Sequence, residues 1–292
     1  MNEICKLCHK KSKLEQSHII PKFVYKWLKE TSATGYLRFG QNLNKRVQDG
    51  FKENLLCRNC EDLLNNWETD FANKLFYPLV NKEKGSFEYG SWFLNFVVSL
   101  SWRVLIYCKR IGLSHSHFTD IQKQESDLAL EVWRKFLLGE IKHLGKYQQH
   151  VIPIDIVSNS FMPNLPTNIN RYFLRIIDID PIANEYQALV YIKIPYFIFI
   201  GGIQIDPKQW INTTIRTHKG LIGNCKYTVP QSFGDYIIDK AKKVSNIQKS
   251  MSEKQKSKIE KTILNNLNRV SGSETFRAVY ADVELFGNDV FE

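Results

Sequence analysis

The chain has 292 residues, 43% hydrophobic and 24% charged, with 18 Phe, 13 Tyr and 6 Trp. That composition excludes a disordered or low-complexity chain and leaves room for one large domain or two modest ones. Forty basic against thirty acidic residues give a formal charge of +10, which favours an acidic partner, nucleic acid first among them.

The opening residues are polar and basic, unlike a secretory leader. Two cysteine pairs, Cys5 with Cys8 and Cys57 with Cys60, have the two-residue spacing of a zinc knuckle, whose tight turn points both thiolates at one ion. Cys108 and Cys225 read as unpaired thiols, and reduced cysteines fit the cytoplasm. Between the pairs, Ser17–Pro21 reads as a strand ended by proline and Lys22–Lys29 as a short helix. Gly35, Gly40 and Gly50 then punctuate loop and weak strand. From Cys57 a helix is expected, with Leu63, Leu64, Trp67, Phe71 and Leu75 on its apolar face and Pro78 as its end.

A core helix follows over Ser91–Arg110. Its apolar run is short for a membrane span and is interrupted by Asn95 and Arg103. An arginine there requires a partner, which spacing alone does not name. A third helix covers Asp120–His143, with Leu128, Leu130, Val132, Trp133 and Leu137 inward. From Val151 the chemistry is that of strands: Arg171–Ile179 should pair with Ala188–Ile205 across a turn at Pro181–Tyr186. Tyr196–Ile200 should be covered on both faces, and Gly201–Gly202 should mark a bulge. Helices return over Phe233–Val244 and Ser252–Val270, the latter opened by a capping box of Ser252 and Gln255. Lys254, Lys258 and Lys261 line one side of it, a solvated face or a track for phosphate. The fold class is therefore α+β. A metal-stapled unit over 1–80 precedes an α+β unit over 81–292, with helices in 91–145, strands in 151–228 and helices in 233–270. His9, His115 and His117 are expected in polar loops without a role.

The order Cys5, Cys8, then Ser17-His18-Ile-Ile-Pro21, then Asn54 three residues before Cys57, Cys60 and Glu61 resembles the HNH endonuclease superfamily. Its treble-clef (ββα-metal) members carry a Cys pair, Asp-His-Ile-Ile-Pro, and Asn ahead of a second Cys pair followed by Asn or His. The likeness covers about the first quarter of the chain. It implies a structural zinc on Cys5, Cys8, Cys57 and Cys60, with His18 as general base for hydrolysis of a phosphodiester. It also implies Asn54 orienting His18 and a separate catalytic magnesium or manganese ion. DNA is favoured over RNA as substrate.

This sequence departs from the pattern at two places. Ser17 stands where the family has an ion-binding Asp, and Glu61 where it has Asn or His. A hydroxyl is the poorer ligand for a hard cation. Glu61 can restore the lost charge, with Asn65 or Glu68 on the same helix face to complete the ion site. The alternatives are a non-catalytic nucleic-acid-binding protein that keeps the scaffold, and a protein-interaction module nucleated by the finger. Structural zinc, the catalytic divalent ion, nucleic acid as partner and no membrane are the resulting expectations.

Overall fold

The computed structural model describes residues 3–40, 42–82, 85–113, 118–159, 164–223 and 225–291; His115 and His117 lie outside them. The chain is mixed α and β. Strands β1 (Glu3–Ile4) and β2 (Lys11–Ser12) form a small hairpin around the first cysteine pair. Strand β3 occupies Leu14–His18, earlier than the expected 17–21. Ile19 and Ile20 leave it to enter the core, and Pro21, with its φ fixed near the helical value, caps α1 (Lys22–Glu30). Helix α1 buries Val24, Tyr25, Trp27 and Leu28.

A hairpin of β4 (Leu37–Phe39) and β5 (Asn42–Val47) follows. Strand β6 (Lys52–Cys57) then returns antiparallel to β3, with His18 opposite Lys52 and Leu14 opposite Cys57. Helix α2 (Arg58–Phe71) starts at the second cysteine pair. It does not end at Pro78. A π turn over Ala72–Phe76 carries it into α3 (Tyr77–Val80), with Pro78 just past the π turn.

Strand β7 (Ser86–Gly90) leads into α4 (Ser91–Arg110), which has the expected bounds. By length and composition α4 would suffice to cross a membrane, yet most of it is buried inside this fold. Phe96 on α4 stacks on Phe71 of α2 with ring centroids 4.2 Å apart. Helix α5 (Asp120–Leu137) stops short of His143. Gly139 at φ 73° donates to the Phe136 carbonyl while Glu140 donates to that of Lys135, closing the helix as glycine does after a last turn. Leu128 is exposed rather than inward, whereas Trp133 and Leu137 are buried.

The main sheet adds β8 (Gln149–Pro153), β9 (Asp178–Ala183), β10 (Ala188–Ile194) and β11 (Phe197–Gln204), antiparallel in the order β8-β11-β10-β9. Three expectations fail here. Ile169–Arg175 is a helix, α6, because the buried Asp282 carboxylate accepts the N–H groups of Asn170 and Arg171 in its first turn, a contact no local propensity encodes. Ala188–Ile205 is two strands joined at Tyr196, whose φ is 66°. Pro181 lies within β9 rather than in a turn, tolerated because β9 is an edge strand. Strand β11 is covered on both faces as expected. The register shifts beside Gly202, and Gly201 is needed for close approach, since a Cβ there would stand 2.8 Å from Ser101.

After β12 (Lys219–Gly223), paired with β7, come four α-helices, α7 (Gln231–Lys249), α8 (Glu253–Leu264), α9 (Leu267–Ser271) and α10 (Glu274–Phe286), and a 3-10 turn over Gly287–Phe291. The expected helix 252–270 is thus broken, and α10 was not anticipated. The Ser252 capping box does not form: Ser252 bonds Asn44 and Gln255 accepts from Arg38. One core cluster joins Leu7, Leu64 and Phe71 to Trp133, Phe199 and Ala278, so packing crosses the boundary expected at residue 80.

Candidate metal centre and adjoining groove

The β1–β2 turn holds Cys5 and Cys8, and its Lys6 N–H donates to the Leu55 carbonyl, pinning the turn against β6. Cys57 ends β6 and Cys60 lies in the first turn of α2. The four sulfur atoms lie within 4.8 Å of one another, and the Sγ atoms of Cys8 and Cys57 are 3.7 Å apart. A tetrahedral ion with sulfur bonds near 2.3 Å needs sulfur–sulfur edges of about 3.8 Å, so the four cysteines could hold a metal ion such as zinc. The Cys57 N–H donates to the Cys5 sulfur at 3.3 Å. Burial raises the Cys5 thiol, but backbone N–H groups of Cys8, Cys57 and Leu7 outweigh it and bring it down to about 7. Burial and the neighbouring sulfurs push Cys60 up. A cation among them would remove that penalty on several thiolates at once.

Beside the centre, a groove of about 370 Å³ runs between β3 and the exposed face of α2. It brings together His18, Glu61, Asn65 and Glu68, with Lys22 and Arg103 at its sides. The spacing of Glu61, Asn65 and Glu68 on one helix face therefore does place them opposite the histidine. Ser17 and Asn54 do not line it. Ser17 points to the other face of β3, is buried, and its hydroxyl has no partner. Asn54 is exposed and lies opposite Gln16, about 7 Å along the strand from the position facing His18.

The group that holds the His18 ring is Asp49, with Oδ2 2.9 Å from Nε2. Burial favours the protonated Asp49, but hydrogen bonds from Lys52, His18 and the Gly50 N–H overcome it and hold this carboxyl well below the usual range. With Nε2–H donating to the Asp49 carboxylate, Nδ1 is the basic atom of the neutral ring. Sequence reasoning missed Asp49: it precedes Gly50 in what reads as a plain turn, 31 residues from its partner.

Arg103, whose partner spacing could not name, reaches from the core helix to the groove floor. One guanidinium nitrogen, Nη1, donates to Glu68 at 2.7 Å and to the His18 carbonyl at 2.9 Å. Its other terminal nitrogen is buried without a partner. An Arg103–Glu68 ion pair thus lies beneath the histidine.

Four carboxylates line the groove: Glu15, Glu61, Asp62 and Glu68. Asp62 pairs with Arg58 and Glu68 with Arg103. Among the described residues, the cysteine set is the only group of three or more His, Cys, Asp or Glu side chains close enough to share an ion. Side chains alone therefore build no cage for a second ion.

Comparison with protein-family models, with curated proteins and with solved structures finds no match to this chain.

Proposed function

We propose that the chain is a nuclease of the HNH kind, with a zinc-stapled treble clef on Cys5, Cys8, Cys57 and Cys60 that presents His18 as general base. The observation that carries this reading is His18, held by Asp49, lining one groove with Glu61 and Arg103. A histidine whose tautomer is fixed by a carboxylate can take a proton from water at Nδ1. Asp49 then stabilises the imidazolium that forms. Arg103, itself paired with Glu68, donates to the His18 carbonyl and holds the end of β3 beneath the ring. Glu61 would hold a divalent ion together with substrate phosphate, and that ion would add charge stabilisation. DNA is the proposed substrate, in keeping with the +10 charge.

Purified protein incubated with plasmid and with single-stranded DNA, with and without magnesium or manganese, is the direct test. Cleavage lost in His18→Ala but retained in a surface control supports the reading. Failure of the wild type to cut any nucleic acid under all metals removes it. The buried Ser17, absent from the groove, favours the second reading, a scaffold that binds nucleic acid without cutting. Binding without cleavage would select it.

A further inference from the structure

A second concavity, of about 510 Å³, opens at the C-terminal end of α1, lined by Lys29, Tyr36, Arg46, Gln48 and Arg269 among others. The exposed Tyr36 ring is stacked by Arg46, whose guanidinium carbon lies 3.6 Å from the ring centroid. Such a pair presents planar π and guanidinium surfaces on which a nucleobase can stack. Three cations line the concavity against one acid, Glu30, which is itself within 3.8 Å of the Lys26 ammonium.

Arg269 is fixed there through main-chain acceptors. Its Nε and Nη2 atoms donate to the carbonyls of Ser32, Lys29 and Glu30. Carbonyls orient the guanidinium without neutralising it. Gly35, at φ 73°, lets the chain turn against it, since a Cβ there would stand 3.1 Å from the guanidinium.

The concavity adjoins the groove through the chain itself. Val47 and Gln48 line it, and the next residue, Asp49, holds His18. On α1, Lys22 lines the groove and Lys29 the concavity, about 10 Å apart along the helix axis. The β4–β5 hairpin that carries Arg46 also anchors the first turn of α8, through Asn44 to Ser252 and Arg38 to Gln255. The exposed Lys254, Lys258 and Lys261 therefore extend from the same hairpin.

We infer that this concavity binds an unpaired nucleotide of the strand whose phosphodiester enters the His18 groove, and that the substrate is single-stranded or carries an unpaired segment. The inference rests on the nuclease reading for the course of that strand. The base stacks on the Tyr36–Arg46 pair and its phosphate lies against Arg269 and Lys29. A duplex offers only base edges to a protein surface, so an aromatic face selects bases free of their partners.

The test uses the full chain carrying His18→Ala, so that substrate stays intact, and the anisotropy of a labelled 20-mer, as DNA and as RNA, single-stranded and as a blunt duplex. The expected result is tighter binding of the single strand. Adding Tyr36→Ala should weaken single-strand binding about tenfold and change duplex binding little, while Tyr36→Trp retains it. Arg46→Lys keeps the charge but loses the planar surface, and should also weaken the single strand. Thermal melting checks that the exposed Tyr36 substitutions leave the fold intact. Duplex preference, or a Tyr36→Ala variant indistinguishable from its parent on the single strand, overturns the inference. If the wild type cuts only duplex, the nuclease reading stands and this inference falls. Tyr36-dependent single-strand binding without cleavage in the wild type reverses that outcome. If no nucleic acid binds, both fall.

Discussion

His18 and Asp49 sit on opposite sides of the β4–β5 excursion and meet at 2.9 Å, so the carboxylate rather than a neighbouring amide sets the direction of the ring. For a histidine acting as base, the partner on its far nitrogen decides which tautomer is present. Asp49→Asn should therefore lower cleavage while leaving metal content and DNA affinity in place. His18→Ala should lose a factor of about 10² to 10⁴. Single-turnover cleavage rates check both. Equal activity in Asp49→Asn and the wild type would remove the orienting role.

The same carboxyl makes a prediction about acid stability. Its folded-state affinity for protons is lowered, so it contributes stability that is present above the ordinary carboxylate range and is lost as pH falls through its folded value. Asp49→Asn should flatten the acid limb of a pH–denaturation series relative to the wild type.

The cysteine cluster predicts close to one equivalent of zinc in protein purified without added metal. Cys57→Ser should lose that ion and melt well below the wild type, because a metal that binds only the folded chain contributes directly to folding free energy. Elemental analysis beside a thermal melt checks it, and full zinc retention in the variant would contradict the assignment.

Arg103 and Glu68 form an ion pair whose arginine is buried. Removing one partner leaves the other charge uncompensated, so Arg103→Met should cost roughly 3–5 kcal/mol. Adding Glu68→Leu should recover part of that cost, since the pair then goes as a unit. A double-mutant cycle by denaturant unfolding measures the coupling, and simple additivity would argue against it.

His150 is wholly buried, with Nδ1 2.8 Å from the Thr213 hydroxyl and Nε2 without a partner. Burial lowers it from 6.5 to about 4. Because the unfolded chain takes up the proton first, the neutral histidine contributes stability that is full above pH 6.5 and lost as pH falls toward 4, on the order of 3 kcal/mol. His150→Gln should remove much of that slope while preserving the contact with Thr213. An unchanged slope between those pH values would contradict it.

The cysteine pairs and the core helix Ser91–Arg110 were legible in the sequence because each is written in short-range spacing: two residues within a knuckle, and an apolar run long enough for one helix. His18 and the Glu61 face of α2 were legible for the same reason, as a strand end and one side of a helix. Tertiary structure decided the rest. Asp49 reaches His18 only after the chain has made a hairpin and returned. The segment 169–175 becomes a helix because Asp282, 112 residues on from Asn170, accepts its first N–H groups. Lys254, Lys258 and Lys261 read as a stripe on an isolated helix, and hydrogen bonds from Arg38 to Gln255 and from Ser252 to Asn44, more than 200 residues apart in sequence, join the start of that helix to the N-terminal hairpin. Spacing along the chain encodes what one turn of helix or one strand can bring together. Partners separated by long loops are chosen by the packing of the whole core, and no local pattern records them.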